Sequence, residues 1–388
     1  MRIQSIDILR GIAILGILFM NVYYHGFFAV GYVSPALAPI SDTLVDLFNG
    51  VFVDGRFRSL FCLLFGVGLA IQYQSYKKKD ISPRDAIKPR LKWLMLFGVL
   101  HGVFIFGGDV LLLYSVTAWF VLKSLNLPQD QLRKKAIRYL VIGAVLNLSW
   151  SALILYFSEP PLVQGSTAFM ELYNEWFSSY GIQMIIQSAV AMIIVVSSPL
   201  WVFWQVAGLM MLGAYLYRSE FFIKGFEQSA LIKVIIGAVI FTGLDVVLRL
   251  QLAAASTEVS ALFASVSAVF VALIYAHIVV KLVANGNRII NLFAAPGKLA
   301  FSLYISQSIV GAIVLRWMFP EFHLTSTQID YVYIALAYSA IQIVLAHVYL
   351  RFFKQGPLEY IWRKAYTRTQ HKKQLLSGGV NTGVRNEF

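Results

Sequence analysis

Nine apolar stretches recur along the chain, at residues 3–25, 58–76, 91–106, 109–124, 137–157, 231–252, 260–283, 298–319 and 330–352. Each is at or just short of the roughly 20 residues that a helix needs to cross a bilayer. In lipid every backbone N–H and C=O must be satisfied within its own segment, so such stretches read as α-helices. A tenth region, residues 181–217, is too long for one helix and awkward as two, with Ser197-Ser198-Pro199 at its middle. Of the 388 residues 59% are hydrophobic and only 13% charged, against about 25% charged in soluble domains. The expected fold is therefore an all-α integral-membrane bundle. One helical domain is expected over residues 1–365, followed by a polar, cytoplasmic, disordered tail over 366–388. The first stretch carries Asp7 and Arg10, and no small-x-small cleavage site follows it, so it reads as a retained helix rather than a signal peptide.

Charge sets the orientation. Lys and Arg number 32 against 19 acidic residues, a balance that would suggest nucleic acid in a soluble chain. Here the basic residues sit in short loops, as retention on the cytoplasmic side requires, and no nucleic-acid partner is expected. Residues 77–92 hold Lys77, Lys78, Lys79, Arg84, Lys88, Arg90 and Lys92, and residues 123–138 hold Lys123, Arg133, Lys134, Lys135 and Arg138. Placing both loops in the cytoplasm puts the acidic loop with Glu159, Glu171 and Glu175 outside. Arg218, Lys224 and Lys233 read as cytoplasmic, so residues 181–217 must cross a net odd number of times. One crossing preceded by a half-inserted or interfacial helix gives about ten spans with both termini inside. Residues 26–57 then lie outside, with Pro35, Pro39, Asp42, Asp46 and an amphipathic segment from about Leu44 to Phe52. The one cysteine, Cys62, gives no disulfide framework, and the histidines show no metal-ligand spacing.

Ionisable groups inside spans are costly and so mark candidate sites. Asp7 and Arg10 share a helical face and can pair; Asn21 lies about three turns further on that face, with His25 one turn beyond. A helix-packing polar seam is the competing reading for these residues. Asp54, Arg56 and Arg58 surround Gly55 at the mouth of the second span. They either snorkel or line a cavity above the small-residue seam Gly66-x-Gly68. His101 lies within a span between Gly98 and Gly102, and Asp109 follows Gly107-Gly108 at a tight turn. A neutral imidazole there can take a proton from a hydroxyl or amine, and a carboxylate can orient it; a histidine that merely bridges helices is the alternative. Asp245 and Arg249, at i,i+4, read as an internal ion pair, while His277, His347 and Arg316 lie near span ends.

Five stretches, "SIDILRGIAILGILFMN", "GRFRSLFCLLFGVGLA", "LHGVFIFGGDVLLLYS", "GKLAFSLYISQS" and "GPLEYIWR", occur in order between residue 5 and about residue 363. They resemble the successive motifs of the YeiB-like family of bacterial inner-membrane proteins. That resemblance implies the transmembrane acyltransferase fold, alongside heparan-α-glucosaminide N-acetyltransferase and the acyltransferase-three O-acyltransferases. Those enzymes use cytoplasmic acyl-CoA to modify a sugar or glycan across the membrane. Their first-helix signature D-x-x-R-G … N matches Asp7, Arg10, Gly11 and Asn21. The sequence departs from them in one respect. Where the acyltransferase-three enzymes place a histidine, this chain has Met20 and Asn21; where the glucosaminide enzyme has His-x-x-Trp-Asn-Gly, it has "DTLVDLFNG".

The expected function is transfer of an acyl group, acetyl first among them, from cytoplasmic acyl-CoA to a hydroxyl or amine of a glycan, lipid or small metabolite. His101 is the expected general base, with His25 as its substitute and Asp109 or Asp7 as orienting carboxylates. Arg10, Asn21, Asp54, Arg56, Arg58 and Gln307 are the substrate-binding candidates. Lys77, Lys78, Lys79 and Arg90 are those for the CoA phosphates. No metal is expected. The bilayer of the bacterial inner membrane is the expected location, and a homodimer is left open. A transporter or exporter without covalent chemistry is the alternative function.

Overall fold

The structure is a computed structural model that describes residues 3–157, 161–252 and 257–376. Among these residues it is all-helical. The chain runs through α1 (Gln4–His25), α2 (Ile40–Phe52), α3 (Arg56–Lys77), α4 (Pro83–Phe104), α5 (Val110–Val121) and α6 (Gln129–Tyr156). There follow α7 (Thr167–Ser178), α8 (Tyr180–Ser197), α9 (Phe203–Arg218), α10 (Phe221–Lys224), α11 (Gln228–Leu252) and α12 (Thr257–Ala284). The last third holds α13 (Ala294–Lys298), α14 (Ala300–Gly311), α15 (Phe322–Thr325), α16 (Gln328–Phe352) and α17 (Pro357–Leu376). A π-helical segment, Ala312–Met318, prolongs α14.

Seven helical stretches among the described residues are long and apolar enough to cross a membrane, which makes this a multi-pass membrane protein. They are Gln4–His25, Gln129–Leu153, Tyr180–Leu200, Gln228–Leu250, Phe263–Ala284, Ala300–Met318 and Gln328–Phe352. Helices α3 and α4 are also 22 residues long but carry more charge near their ends. Exposed apolar side chains such as Ile185, Met192 and Val196 on α8, and Ile236, Val239 and Val247 on α11, form the lipid-facing surface.

The core is built from helices that approach through glycine. In α3, a Cβ on Gly66 would lie 1.9 Å from the Met210 carbonyl oxygen of α9, and one on Gly213 would lie 2.0 Å from that of Leu63. The two helices thus exchange small residues at one crossing, as the expected seam around Gly66 requires. Gly11 of α1 and Gly297 of α13 form a second such crossing: added Cβ atoms would lie 1.9 Å from Phe293 O and 1.7 Å from Asp7 O. Arg10 and Lys298, the chain neighbours of these two glycines, line one cavity.

Residues 181–217 become two helices, α8 and α9, separated by a 3₁₀ turn at Ser198–Leu200. Tyr180 Oη donates to Phe104 O (2.6 Å), so α8 begins beside the end of α4. Arg218 donates to Leu127 O (2.9 Å), so α9 finishes beside the turn that follows α5. The helical run breaks where proline removes a backbone donor.

The segment expected to be an acidic loop is helical over α7, on which Glu171 and Glu175 are exposed; Glu159 lies outside the described residues. The amphipathic segment near Leu44 forms α2, burying Val45 and Asn49 and exposing Leu44, Phe48 and Phe52. The tail differs from expectation. Helix α17 continues through residues 366–376, and side chains tie it to α4. Trp93 Nε1 donates to Thr369 Oγ1 (3.0 Å) and Gln370 Nε2 to Ala86 O (2.6 Å). The rest of the expected tail, 377–388, lies outside the described residues.

Candidate functional site

The break between α4 and α5 brings two ionisable groups together. α4 ends at Phe104, the chain turns through Gly107 and Gly108, and Asp109 caps α5 by accepting Leu112 N–H at Oδ2 (2.8 Å). Its Oδ1 faces His101 Nδ1 at 2.8 Å, and both side chains are buried. With Asp109 as acceptor, Nδ1 donates and the neutral ring keeps its lone pair on Nε2. That Nε2 has no hydrogen-bond partner among the described residues. Tyr304 of α14 also donates to Asp109 Oδ1, at 3.3 Å.

A cavity of about 220 Å³ opens near the basic loops, and Tyr304, which bonds Asp109, is part of its lining, whereas His101 and Asp109 are not. Arg10, Gln72, Arg90 and Lys298 line its mouth, and Leu94, Leu111 and Tyr304 lie deeper. Arg90 rests over the Trp362 ring, 4.3 Å from its centroid, and Trp362 Nε1 donates to Arg90 O. On the α14 side Glu359 accepts the N–H groups of Phe301 (2.9 Å) and Ser302 (3.2 Å) and the Ser302 hydroxyl, capping α14 from α17. The motifs "GKLAFSLYISQS" and "GPLEYIWR" are thus two halves of one cap, and the cap holds Tyr304 in place. Tyr304 closes the cavity: its ring lines the deep end while its hydroxyl reaches Asp109.

Beyond His101, on the side away from the cavity, the ring of Phe106 has His25 at 5.1 Å and His101 at 6.2 Å between centroids. His25 is buried and its Nε2 has no partner among the described residues. Helix α7 covers this region, with Trp176 fully buried and its Nε1–H donated to Gly26 O (2.9 Å). His323 of α15 accepts from Tyr331 Oη at Nδ1 and donates to Leu315 O from Nε2, and burial pushes its pKa down to about 4.

The other sequence candidates separate. Asp7 is not near the histidine; it pairs with Arg10 (3.6 Å) at the opposite end of α1 from His25. Arg10 lines the cavity mouth, and Asn21 is half-buried on the same helix face. Asp54 and Arg56, substrate-binding candidates in the sequence, belong to a different cluster from His101 and Asp109. Arg249 pairs with Asp46 (2.9 Å), Asp54 (3.1 Å) and Asp245 (3.3 Å), while fully buried Arg56 donates to Ser267 Oγ (2.8 Å). Burial, outweighing the Arg249 and Arg56 guanidiniums, raises the Asp54 carboxyl above its ordinary range. Arg58 is half-buried, and its carbonyl accepts from Tyr114 Oη (3.4 Å). Gln307 braces α14 against α1 and α16 through Ile14 O (3.1 Å) and Gln342 Oε1 (2.9 Å), and does not line the cavity. Lys77, Lys78 and Lys79 are exposed beyond the end of α3; of the four phosphate candidates only Arg90 reaches the cavity.

Tyr304, Lys298 and Trp362 were missed, although each sits in a stretch quoted above. An aromatic or a lysine in an apolar run carries no local signal of which cavity it will line.

A family model described as "Protein of unknown function (DUF418)" matches residues 216–369. The chain is 26% identical to the uncharacterized protein YeiB of Escherichia coli (strain K12), covering 95% of this chain and 97% of that protein. It is 27% identical to the uncharacterized protein YxaH of Bacillus subtilis (strain 168), covering 94% of each. An uncharacterized 39.9 kDa protein from the amylase 3' region of Bacillus acidopullulyticus is 25% identical over 93% of each chain. These matches support the likeness to YeiB-like proteins along nearly the whole chain.

Proposed function

We propose that the chain is an integral-membrane acyltransferase of the bacterial inner membrane, moving an acyl group from cytoplasmic acyl-CoA to a hydroxyl or amine reached from the other side. One observation carries this reading. A buried His101–Asp109 pair, with Nε2 unpartnered among the described residues, stands behind Tyr304 at the blind end of a cavity rimmed by Arg10, Arg90 and Lys298. A cavity of about 220 Å³ gives the thioester end of the pantetheine arm a place to enter, and the nucleotide phosphates rest on the cationic rim.

His101 Nε2 takes the acceptor's proton as the acceptor oxygen or nitrogen bonds to the thioester carbonyl carbon. The C–S bond then breaks, and the imidazolium returns its proton to the CoA thiolate, so that acylated acceptor and free CoA leave. Asp109 holds the ring in the productive tautomer. Tyr304 must swing aside for the thioester to reach the pair. The match of Asp7, Arg10, Gly11 and Asn21 to the D-x-x-R-G … N signature of transmembrane acyltransferases is in keeping with the same chemistry.

The test is acetyl-CoA binding to the purified chain. Replacing Arg90 and Lys298 together by glutamine should weaken it by about 1 kcal/mol per charge, with a shallower salt dependence. Neutralising Lys77, Lys78 and Lys79 should leave it unchanged. Equal affinity in the wild type and the Arg90/Lys298 double variant sinks the reading.

About ten spans with both termini in the cytoplasm follow if the basic loops are inside. Because the native Cys62 is buried, single introduced cysteines give a clean test. Position 171 should react with an impermeant maleimide from outside, and position 78 only after permeabilisation. External labelling at 78 would invert the orientation and the CoA side with it.

Transport is a second reading, favoured by the broken α8–α9 crossing and the π-helical segment after α14, since interrupted helices build many transporter sites. It predicts solute flux without consumption of acyl-CoA.

A further inference from the structure

We propose that Arg316 anchors the negatively charged group of the acceptor, making that acceptor a hydroxyl- or amine-bearing carboxylate or phosphate. The proposal rests on the acyltransferase reading for the word acceptor, but not for the anion site itself.

Arg316 is 2% exposed. Its Nη2 donates to His25 O (3.2 Å) and Ile105 O (3.1 Å), while Nε and Nη1 have no hydrogen-bond partner among the described residues. Nor does it form an ion pair there: Asp109, the carboxylate of the neighbouring pair, already accepts from His101, Leu112 and Tyr304. The Trp176 ring lies against its guanidinium, 5.1 Å from Cζ to the ring centroid. A guanidinium cannot lose its proton to escape burial, so a charge left without a counter-ion is strongly disfavoured unless an anion joins it. At membrane depth such a residue marks a ligand site.

Three further features locate the ligand. Ile105 N–H donates back to His101 O, so the carbonyl that Arg316 grips lies one helical turn from the candidate base. The arginine is carried by a π-helical segment, a form that recurs at functional sites. Gln187 of α8 is fully buried with neither amide atom hydrogen-bonded among the described residues, and its backbone packs on Gly107 in the turn between His101 and Asp109. Arg316 and Gln187, both with unused donors, thus contact the backbone at either end of the segment from His101 to Asp109, and His101 and His25 each carry an unpartnered Nε2. An acceptor whose anion met Arg316 would hold its hydroxyl or amine toward His101. Trp176 of α7 would cover it.

The experiment needs no acyl-CoA. The full-length chain in phosphatidylcholine nanodiscs is titrated with glycerol 3-phosphate, with lactate and with glycerol, following tryptophan emission and thermal stability. Both anions should give a saturable emission change and thermal stabilisation, and glycerol neither. Trp176→Phe should remove the emission change but keep the stabilisation. Arg316→Gln should weaken binding by about tenfold or more, as loss of a charge-assisted contact does, and Lys78→Gln, at an exposed lysine outside the cavity, should leave the Trp176 response intact. If Arg316→Gln does not fold, Arg316→Lys and Gln187→Leu carry the test, each expected to weaken binding several-fold. A response to phosphatidylglycerol nanodiscs alone, not increased by soluble anion, would make a lipid headgroup the anion source. No saturable response in the wild type, or an undiminished one in the Arg316 and Gln187 variants, overturns the site. Anion binding at Arg316 without acyl transfer would instead overturn the enzyme reading and leave the site standing.

Discussion

His101→Ala is expected to slow acyl transfer by about 10²–10⁴-fold, the usual effect of losing a general base, while acetyl-CoA binding stays near the wild-type value. The split follows from geometry. His101 does not line the cavity proposed for CoA, while its Nε2 has no partner among the described residues and its partner Asp109 bonds Tyr304 in the cavity lining. His101→Gln should restore packing and stability without restoring turnover. Asp109→Asn should keep the helix cap, because an amide oxygen can also accept Leu112 N–H, but it no longer favours the productive tautomer and should slow transfer strongly. His277 and His347 serve as controls: His277 Nδ1 accepts Phe226 N–H, and His347 Nδ1 bonds the Ile343 carbonyl within its own helix. Their alanine variants should turn over normally. Transfer of radiolabelled acetyl by matched amounts of folded protein decides the matter. An alanine variant at position 101 that turns over at the wild-type rate would move the role to His25.

The largest structural effect is expected at Gly297. A methyl group there would stand 1.7 Å from the Asp7 carbonyl oxygen and 2.9 Å from Gly11 N, both backbone atoms that no rotamer change can clear. Accommodating it forces α1 away from α13, which costs more than the roughly 1–3 kcal/mol of ordinary overpacking. Gly297→Ala should therefore give little monodisperse protein after detergent extraction. What remains should bind acetyl-CoA poorly, because Arg10 and Lys298 flank this crossing. Gly243→Ala is the matched control: it lies in a helix interior with nothing within 4 Å of the added carbon, and helix propensity favours alanine. Equal yield and thermal midpoint for the two variants would show that the α1–α13 approach is looser than the structure has it.

Local pattern determined one class of feature in this protein. Apolar runs of spanning length leave the backbone no choice but helix in lipid, and the bundle follows. The i,i+4 spacing of Asp245 and Arg249 places them on one face, and they pair. The apolar and polar alternation near Leu44 makes α2 amphipathic whatever surrounds it. His101 and Asp109 were legible as candidates because charge at membrane depth is costly wherever it lands. Their pairing was less legible: a spacing of eight places two residues on nearly adjacent faces of a continuous helix, whereas here the turn at residues 105–109 folds one back on the other.

Tertiary structure decided the rest. Asp54 and Arg56 looked like a cavity mouth until Arg249, 195 residues from Asp54, arrived to pair with the aspartate. Tyr304 reaches Asp109 across 195 residues, and Arg316 reaches His25 across 291. Local periodicity carries no information about such distances. Which cations share a cavity, and which buried arginine is left without a counter-charge, depends on helix crossings. Two glycines, 11 and 297, set the crossing next to which Arg10 and Lys298 line one cavity, through the absence of a side chain rather than the presence of one.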